Sequence, residues 1–381
     1  MRLTYIANIR IPTEKAHGIQ IIKMGEAFAK SMEVELVVPK RLKPIKTDPF
    51  EYYGLTRDFK IKKLPCLDLI PWYKYVGLLG LWIESFTFFF FVFQYIVFKK
   101  TDLLYTRDKF FLPFTLFKKN IIFESHTFPK HFFLYSPFLK KLKGIVVITH
   151  KLKDLLIEQG IPPNKILVAP DGVDLEKFDI KENQGECRQR LNIPQDKKII
   201  LYTGHLYKWK GAQVLAEASQ FLPADVEVYF VGGTKEDIKK FKIQNLKSKV
   251  QVIGHRPYNE IPYWLKAADI LVLPNSGKEE ISKHWTSPIK LFEYMAAQRP
   301  IVASDLPSIR EILDEKKAIF VRPDDVEDLA NGINKALEDK DLAERISMQV
   351  FQDVQQYTWQ KRAENILTHA LDRIALVKKN I

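Results

Sequence analysis

The chain has 381 residues, 46% hydrophobic and 28% charged, which is enough for two domains of ordinary size and too apolar for a disordered chain. Its net charge is +13, of which residues 1–175 carry +11 (27 Lys/Arg less 16 Asp/Glu), and 19 of the 26 phenylalanines fall before residue 140. Two cysteines, Cys66 and Cys187, exclude a disulfide scaffold and a Cys-based zinc site, so a reducing compartment is expected.

Leu3–Ala7 reads as a strand directly after Met1, with no cleavage-site pattern, so no signal peptide is expected. A helix over His17–Lys30 and a strand over Val34–Val38 follow. Residues 40–75 are basic, Pro-containing and irregular. Val76–Phe98 is mostly apolar and long enough to cross a bilayer, but Glu84 in its middle would cost roughly 2–3 kcal/mol there. Spanning, packing inside the domain and docking on a membrane surface all stay open for it. Short buried strands are expected at Leu103–Thr106, Ile121–Phe123, Ile145–Ile148 and Ile166–Val168, with a helix over Lys151–Gln159. Turn chemistry at 169–174 and a polar run over 176–197 mark a linker.

Beyond it, strands at Ile199–Thr203, Val226–Val231, Val250–Ile253, Ile270–Leu273, Ile301–Ala303 and Ile319–Val321 alternate with helices near 211–220, 235–246, 258–267, 288–297, 307–314 and 325–338. Such alternation predicts an α/β parallel sheet covered on both faces. A helical tail covers about 341–377. Two such units would make a two-lobed molecule with a central cleft.

Ligands of doubly wound sheets bind at strand C-termini. There, Gly204, His205, Tyr207, Lys208, Trp209, Lys210 and Gly211 join a buried strand to a helix, a pattern that suits a phosphate or a plain turn with solvated lysines. In Thr286-Ser287-Pro288-Ile289-Lys290-Leu291-Phe292-Glu293, Ser287 reads as an N-cap and Pro288 as the first helical residue. Glu293 sits among apolar neighbours, where a charge needs a partner such as a ribose hydroxyl pair, or else faces solvent. Gly232-Gly233 ends another strand and reads as a tight turn.

In this order, with Asp171-Gly172-Val173-Asp174, Ile253-Gly254, Ala268 to Pro274 and Pro288 to Asp305, these segments resemble the family 4 glycosyltransferases, whose fold, GT-B, has two Rossmann-like domains facing a cleft. The form of Gly204 to Gly211 and of Ser287 to Met295 is similar to a bacterial branch serving surface polysaccharides and glycoconjugates. The resemblance implies domains over 1–174 and 175–358, with a helix of about 359–381 crossing back to the first. It implies retaining transfer from a nucleotide diphosphate sugar to a glycan or lipid-linked acceptor, with no metal and no cofactor. Lys210 matches the lysine that holds the diphosphate and Glu293 the acid that binds the ribose; Gly18, Gly204, His205, Ser287, Ile289 and Lys290 complete the donor set. His205 stands where many members have arginine, and Trp285 replaces the first acid of the paired-glutamate motif, with Glu279, Glu280 or His284 as substitutes. On the acceptor side Phe123-Glu124-Ser125-His126 resembles the active-site histidine segment, which makes His126 catalytic together with Lys210.

The basic, Phe-rich first half points to a cytoplasmic protein peripheral on the inner face of the cell membrane. Its anionic-surface cluster would be Lys40, Arg41, Lys43, Lys46, Lys60, Lys62, Lys63, Lys140, Lys141 and Lys143. Nucleic acid is not an expected partner, because no RNA-binding sheet signature or helix-turn-helix pattern occurs. A non-enzymatic scaffold of the same fold is the main alternative, motivated by Trp285 and His205.

Overall fold

The computed structural model describes residues 1–42, 45–244 and 250–379, so Lys43 and the end of the helix expected over 235–246 lie outside the described residues. The chain forms two compact units, one of Met1–Pro170 with Trp359–Ile381 and one of Asp171–Thr358. The first crossing therefore falls four residues before the expected end at 174.

The first unit holds a seven-stranded parallel sheet of β1 (Arg2–Ile6), β2 (Glu33–Pro39), β3 (Lys60–Leu64), β4 (Leu103–Thr106), β5 (Ile121–Ser125), β6 (Gly144–Val147) and β7 (Ile166–Val168), in the order β3-β2-β1-β4-β5-β6-β7. The order reverses between β1 and β4, which makes their C-terminal ends the switch point. Residues 40–75 are not wholly irregular. They contain helix Pro49–Tyr53, capped by the Asp48 carboxylate, and the strand β3. Its sequence Lys-Ile-Lys-Lys-Leu hides a strand, because an edge strand needs to bury little and lysines protect it from further pairing.

The Phe-rich helix runs Tyr73–Phe98 and carries a non-helical Gly77 near its start. Gly80, Glu84, Phe88, Val92 and Ile96 recur every four residues and are its buried line. The terminal helix Trp359–Lys379 packs on the same unit through Trp359, Arg362, Ala363, Ile366 and Ala370. It comes close to β6 at Gly144, where a Cβ would stand 3.0 Å from the His369 ring.

The second unit holds a six-stranded parallel sheet of β8 (Lys198–Thr203), β9 (Val226–Val231), β10 (Val250–Gly254), β11 (Ile270–Leu273), β12 (Ile301–Ser304) and β13 (Ile319–Val321), in the order β10-β9-β8-β11-β12-β13. Its switch point lies between β8 and β11. Residues 176–197 are not a linker. They form helices Leu175–Phe178 and Gln184–Leu191, the second with a full capping box between Asn183 and Glu186. Arg188 is buried, bonded to the Ala267 carbonyl at 2.9 Å and to Asp269 at 2.7 Å, which binds this polar stretch to the unit. A sequence with few apolar residues looked like a tether because its anchor is a charge.

Candidate active site

In the second unit, β8 delivers the chain to Gly204 at φ +117, a region that side chains disfavour. A Cβ on Gly232 would lie 2.4 Å from the Gly204 carbonyl oxygen, so close packing of the two strand ends requires glycine at 232. The loop ends at Gly211 (φ +70), where a Cβ would fall 1.6 Å from the Pro274 oxygen. The Trp209 carbonyl accepts the Ser276 N–H at 3.0 Å and the Ser282 hydroxyl at 3.3 Å. These contacts seat the loop on the end of β11, at the switch point.

The seating leaves Lys210 half-buried, with its ammonium 5.2 Å from the Trp209 ring centroid and 5.7 Å from that of Tyr207. Burial lowers its pKa to about 8. Lys290, in helix Ile289–Ala296, is buried with its Nζ 3.9 Å from the Tyr202 ring centroid and with no hydrogen-bond partner. Burial depresses its pKa strongly; the like charge of Lys210 adds to this and Glu293 opposes it. Glu293, one turn on and only 6% exposed, is lifted to about 7 by burial against the pull of Tyr258 and Lys290. The Tyr258 hydroxyl lies beside this carboxyl outside standard hydrogen-bond geometry. Two under-solvated cations and one under-solvated carboxyl share a strand-end site.

The remaining donor-side candidates are ordered around these three. His205 stacks on Tyr207 at 4.9 Å between centroids and faces Asp237 at 3.5 Å. Ser287 does not cap the helix as expected: Pro288 is the N-cap residue, and the Ser287 hydroxyl accepts the Asp171 N–H at 2.9 Å. A proline in extended geometry cannot serve as the first helical residue, so Ile289 takes that place and presents a first-turn N–H. Trp285 ends the short helix Glu280–His284; Glu280 is exposed and stands 3.9 Å from His284. Neither Asn275 nor Asp237 was legible beforehand. Asn275, directly after the Pro274 that packs on Gly211, is 1% exposed with both amide atoms unpartnered. A polar residue ending an apolar strand was its one signal.

In the first unit, His126 Nε2 lies 2.6 Å from Glu124, at the end of β5. Glu124 is fully buried and also accepts from Gln20 at 2.6 Å, from Arg362 at 2.8 Å and from the Tyr105 hydroxyl. Burial alone would raise this carboxyl, but Arg362, His126 and Arg107 together hold it well below the usual range. Arg362 also donates to the Pro170 carbonyl at 2.8 Å. Arg107 bonds to Gln20 and extends the network. Arg362 escaped the sequence reading because it lies 238 residues from its partner. Gly18 is in the first turn of helix Ala16–Ala29, where a Cβ would sit 2.4 Å from Thr13 and 2.5 Å from the Tyr53 hydroxyl. Its neighbour His17 is lowered to about 4 by burial, then by Arg107, Lys15 and His126. Among the described residues, no three His, Cys, Asp or Glu gather as a metal site.

The sequence family described as glycosyl transferases group 1 matches residues 197–339, from β8 through helix Val326–Glu338. Over these residues the chain resembles the group 1 glycosyltransferases. The chain is similar to UDP-Gal:alpha-D-GlcNAc-diphosphoundecaprenol alpha-1,3-galactosyltransferase of Escherichia coli, at 26% identity over 211 residues, 52% of each chain. It is also similar to the putative teichuronic acid biosynthesis glycosyltransferase TuaC of Bacillus subtilis strain 168, at 24% over 193 residues, 50% of this chain and 46% of that protein. It spans about half the length of these curated relatives. Sucrose-phosphate synthase from Thermosynechococcus elongatus shares its fold, with a TM-score of 0.78 and 18% identity over 98% of this chain and 99% of that one. With its two parallel sheets, the chain has the GT-B fold.

Proposed function

We propose that this glycosyltransferase moves a sugar from a nucleotide diphosphate donor to a glycan or lipid-linked acceptor, with retention of configuration, in the making of cell-surface polysaccharide or glycoconjugate. We place it in the cytoplasm, peripheral on the inner face of the cell membrane. The observation that carries the reading is the switch-point trio of half-buried Lys210 with buried Lys290 and Glu293, all under-solvated and inside the matched domain. The name of the Escherichia coli relative supports the donor and lipid-linked acceptor classes, and that of the Bacillus subtilis relative supports the polysaccharide role.

In the step proposed, the bond from sugar C1 to the diphosphate oxygen breaks and its electron pair stays on the diphosphate. A bond forms from the acceptor hydroxyl oxygen to C1 on the same face, and the hydroxyl proton passes to the departing phosphate oxygen. Lys210, Lys290 and the Ile289 N–H supply positive charge that is fixed before reaction. The chain's own lysines thus supply the charge that the diphosphate requires, with no cofactor in the scheme. Glu293 accepts from the ribose hydroxyls, and His205 adds a hydrogen bond rather than a permanent charge. In the first unit His126, held by Glu124, serves the acceptor hydroxyl.

A thermal-shift screen of nucleotide sugars tests this directly, since a ligand at 100 times its Kd adds about 2.7 kcal/mol. With a donor in hand, Lys210→Ala should weaken the diphosphate and spare the free nucleoside, whereas Glu293→Gln should weaken both. Calorimetry showing neither change would remove the site assignment. Tight binding with no transfer to any acceptor would favour the scaffold reading that Trp285 motivates.

A further inference from the structure

Helix Tyr73–Phe98 has two apolar sides, and only one is used by the fold. The inner line from Gly80 to Ile96 is buried. Leu78, Trp82, Phe86 and Phe90, also four apart, point the other way and are 64%, 59%, 69% and 52% exposed. The ridge continues through Phe93, which packs edge-on against Phe117 at 5.1 Å, itself an exposed ring. Contiguous apolar surface of this kind marks an interaction site, whereas scattered exposed residues do not.

Charge identifies what covers it. Lys74 and Lys100 bracket the helix, Lys119 lies two residues beyond Phe117, and all three are exposed. The one acid of the helix, Glu84, points inward and is 1% exposed. It pairs with Arg41 at 3.0 Å, and Arg41 also meets Asp68 at 3.4 Å and Asn8 at 2.9 Å. Arg41 is therefore unavailable to the surface cluster expected for it. An apolar ridge with a basic rim complements a bilayer with anionic headgroups. A second copy set on the same ridge would bring the lysines of both copies together.

The segment Ile70–Phe98 is also long and apolar enough to cross a membrane, with a mean hydropathy of 1.9. Crossing would strip Glu84 of Arg41 and carry a carboxyl into hydrocarbon, which is costly. We infer that this helix lies in the plane of an anionic membrane surface, its ridge at Leu78, Trp82, Phe86 and Phe90 among the lipids, while the Arg41–Glu84–Asp68 network keeps it fastened to the sheet. The inference rests on the peripheral-membrane reading above and assigns its surface.

Flotation with vesicles of phosphatidylcholine alone, or equimolar with phosphatidylglycerol, tests it on the full chain. The wild type should be enriched on the anionic vesicles, weakened but not released by salt, because salt screens the rim and leaves the ridge. The variant Trp82→Ser/Phe86→Ser/Phe90→Ser should lose more than about tenfold in vesicle affinity. Its melting temperature should fall by no more than a few degrees and its nucleoside diphosphate binding should match the wild type, since all three side chains are more than half exposed and Trp82 meets another element through one edge contact with Phe110 at 5.4 Å. Equal flotation of variant and wild type would overturn the surface assigned and leave the peripheral reading standing. Absence of wild-type binding to either vesicle would overturn both. Sedimentation showing a dimer that the variant dissociates would assign the ridge to a second copy and overturn the proposal. Resistance of the cellular protein to alkaline carbonate would overturn it in favour of a spanning helix.

Discussion

Glu293 and Lys290 carry a cost when the site is empty, and pH exposes it. The Glu293 carboxyl moves from an ordinary 4.5 to about 7, with burial as the main cause. Between those values the folded chain holds the proton more tightly than the unfolded chain, so stability falls as pH rises through this window. The loss is complete above pH 7 and amounts to about 3 kcal/mol at 1.4 kcal/mol per unit. Glu293→Gln should therefore stabilise the ligand-free protein at pH 8 and leave it nearly unchanged at pH 5, as urea titrations at both values would show. At pH 8, diphosphate binding should take up protons, because Lys210 is half charged at about 8 and burial depresses Lys290 as well. Calorimetry in buffers of different ionisation enthalpy reads that uptake directly. His126 and Glu124 should separate in the same way. Glu124→Gln leaves Arg362 buried without its counter-charge and should cost roughly 3–5 kcal/mol. His126→Ala removes one of several donors, should cost about 1 kcal/mol, and should abolish most turnover.

At the scale of elements, the glycines divide into two kinds. Gly211 and Gly160 both have positive φ, yet a Cβ on Gly211 meets the Pro274 backbone whereas one on Gly160 meets nothing within 4 Å. Gly160→Ala should cost about 1–2 kcal/mol, the conformational term alone. Gly211→Ala should cost more and also dislodge Lys210, so that denaturant stability and diphosphate affinity fall together. Strands of the second sheet were readable to within a residue at each end, because a strand covered on both faces is an unbroken apolar run. The edge strand β3 and helix Gln184–Leu191 were not, since lysines and a buried arginine carry their positions. Ser287 shows the same limit: an N-cap pattern was present, but the hydroxyl found a partner 116 residues away.

At the scale of the whole chain, the tail returns to the first unit. The terminal helix belongs to the first unit, and Arg362 binds both Glu124 and the Pro170 carbonyl where the chain leaves that unit. Removing residues 359–381 should therefore leave the first unit aggregation-prone, with nucleotide binding by the second intact. Limited proteolysis and calorimetry on the truncated chain would check both halves of that statement. By itself the sequence determined two parallel α/β units, the strand ends at which doubly wound sheets place their ligands, and Lys210, Glu293 and His126 as candidate groups. Apolar period and turn glycines are local signals, so a single chain displays them. Only the tertiary structure decided that Lys290 is buried beside Lys210, that Glu124 gathers donors from four parts of the chain, and that Glu84 turns inward to Arg41. Burial and ion pairing are set by residues distant in sequence, and no local pattern records which of them will meet.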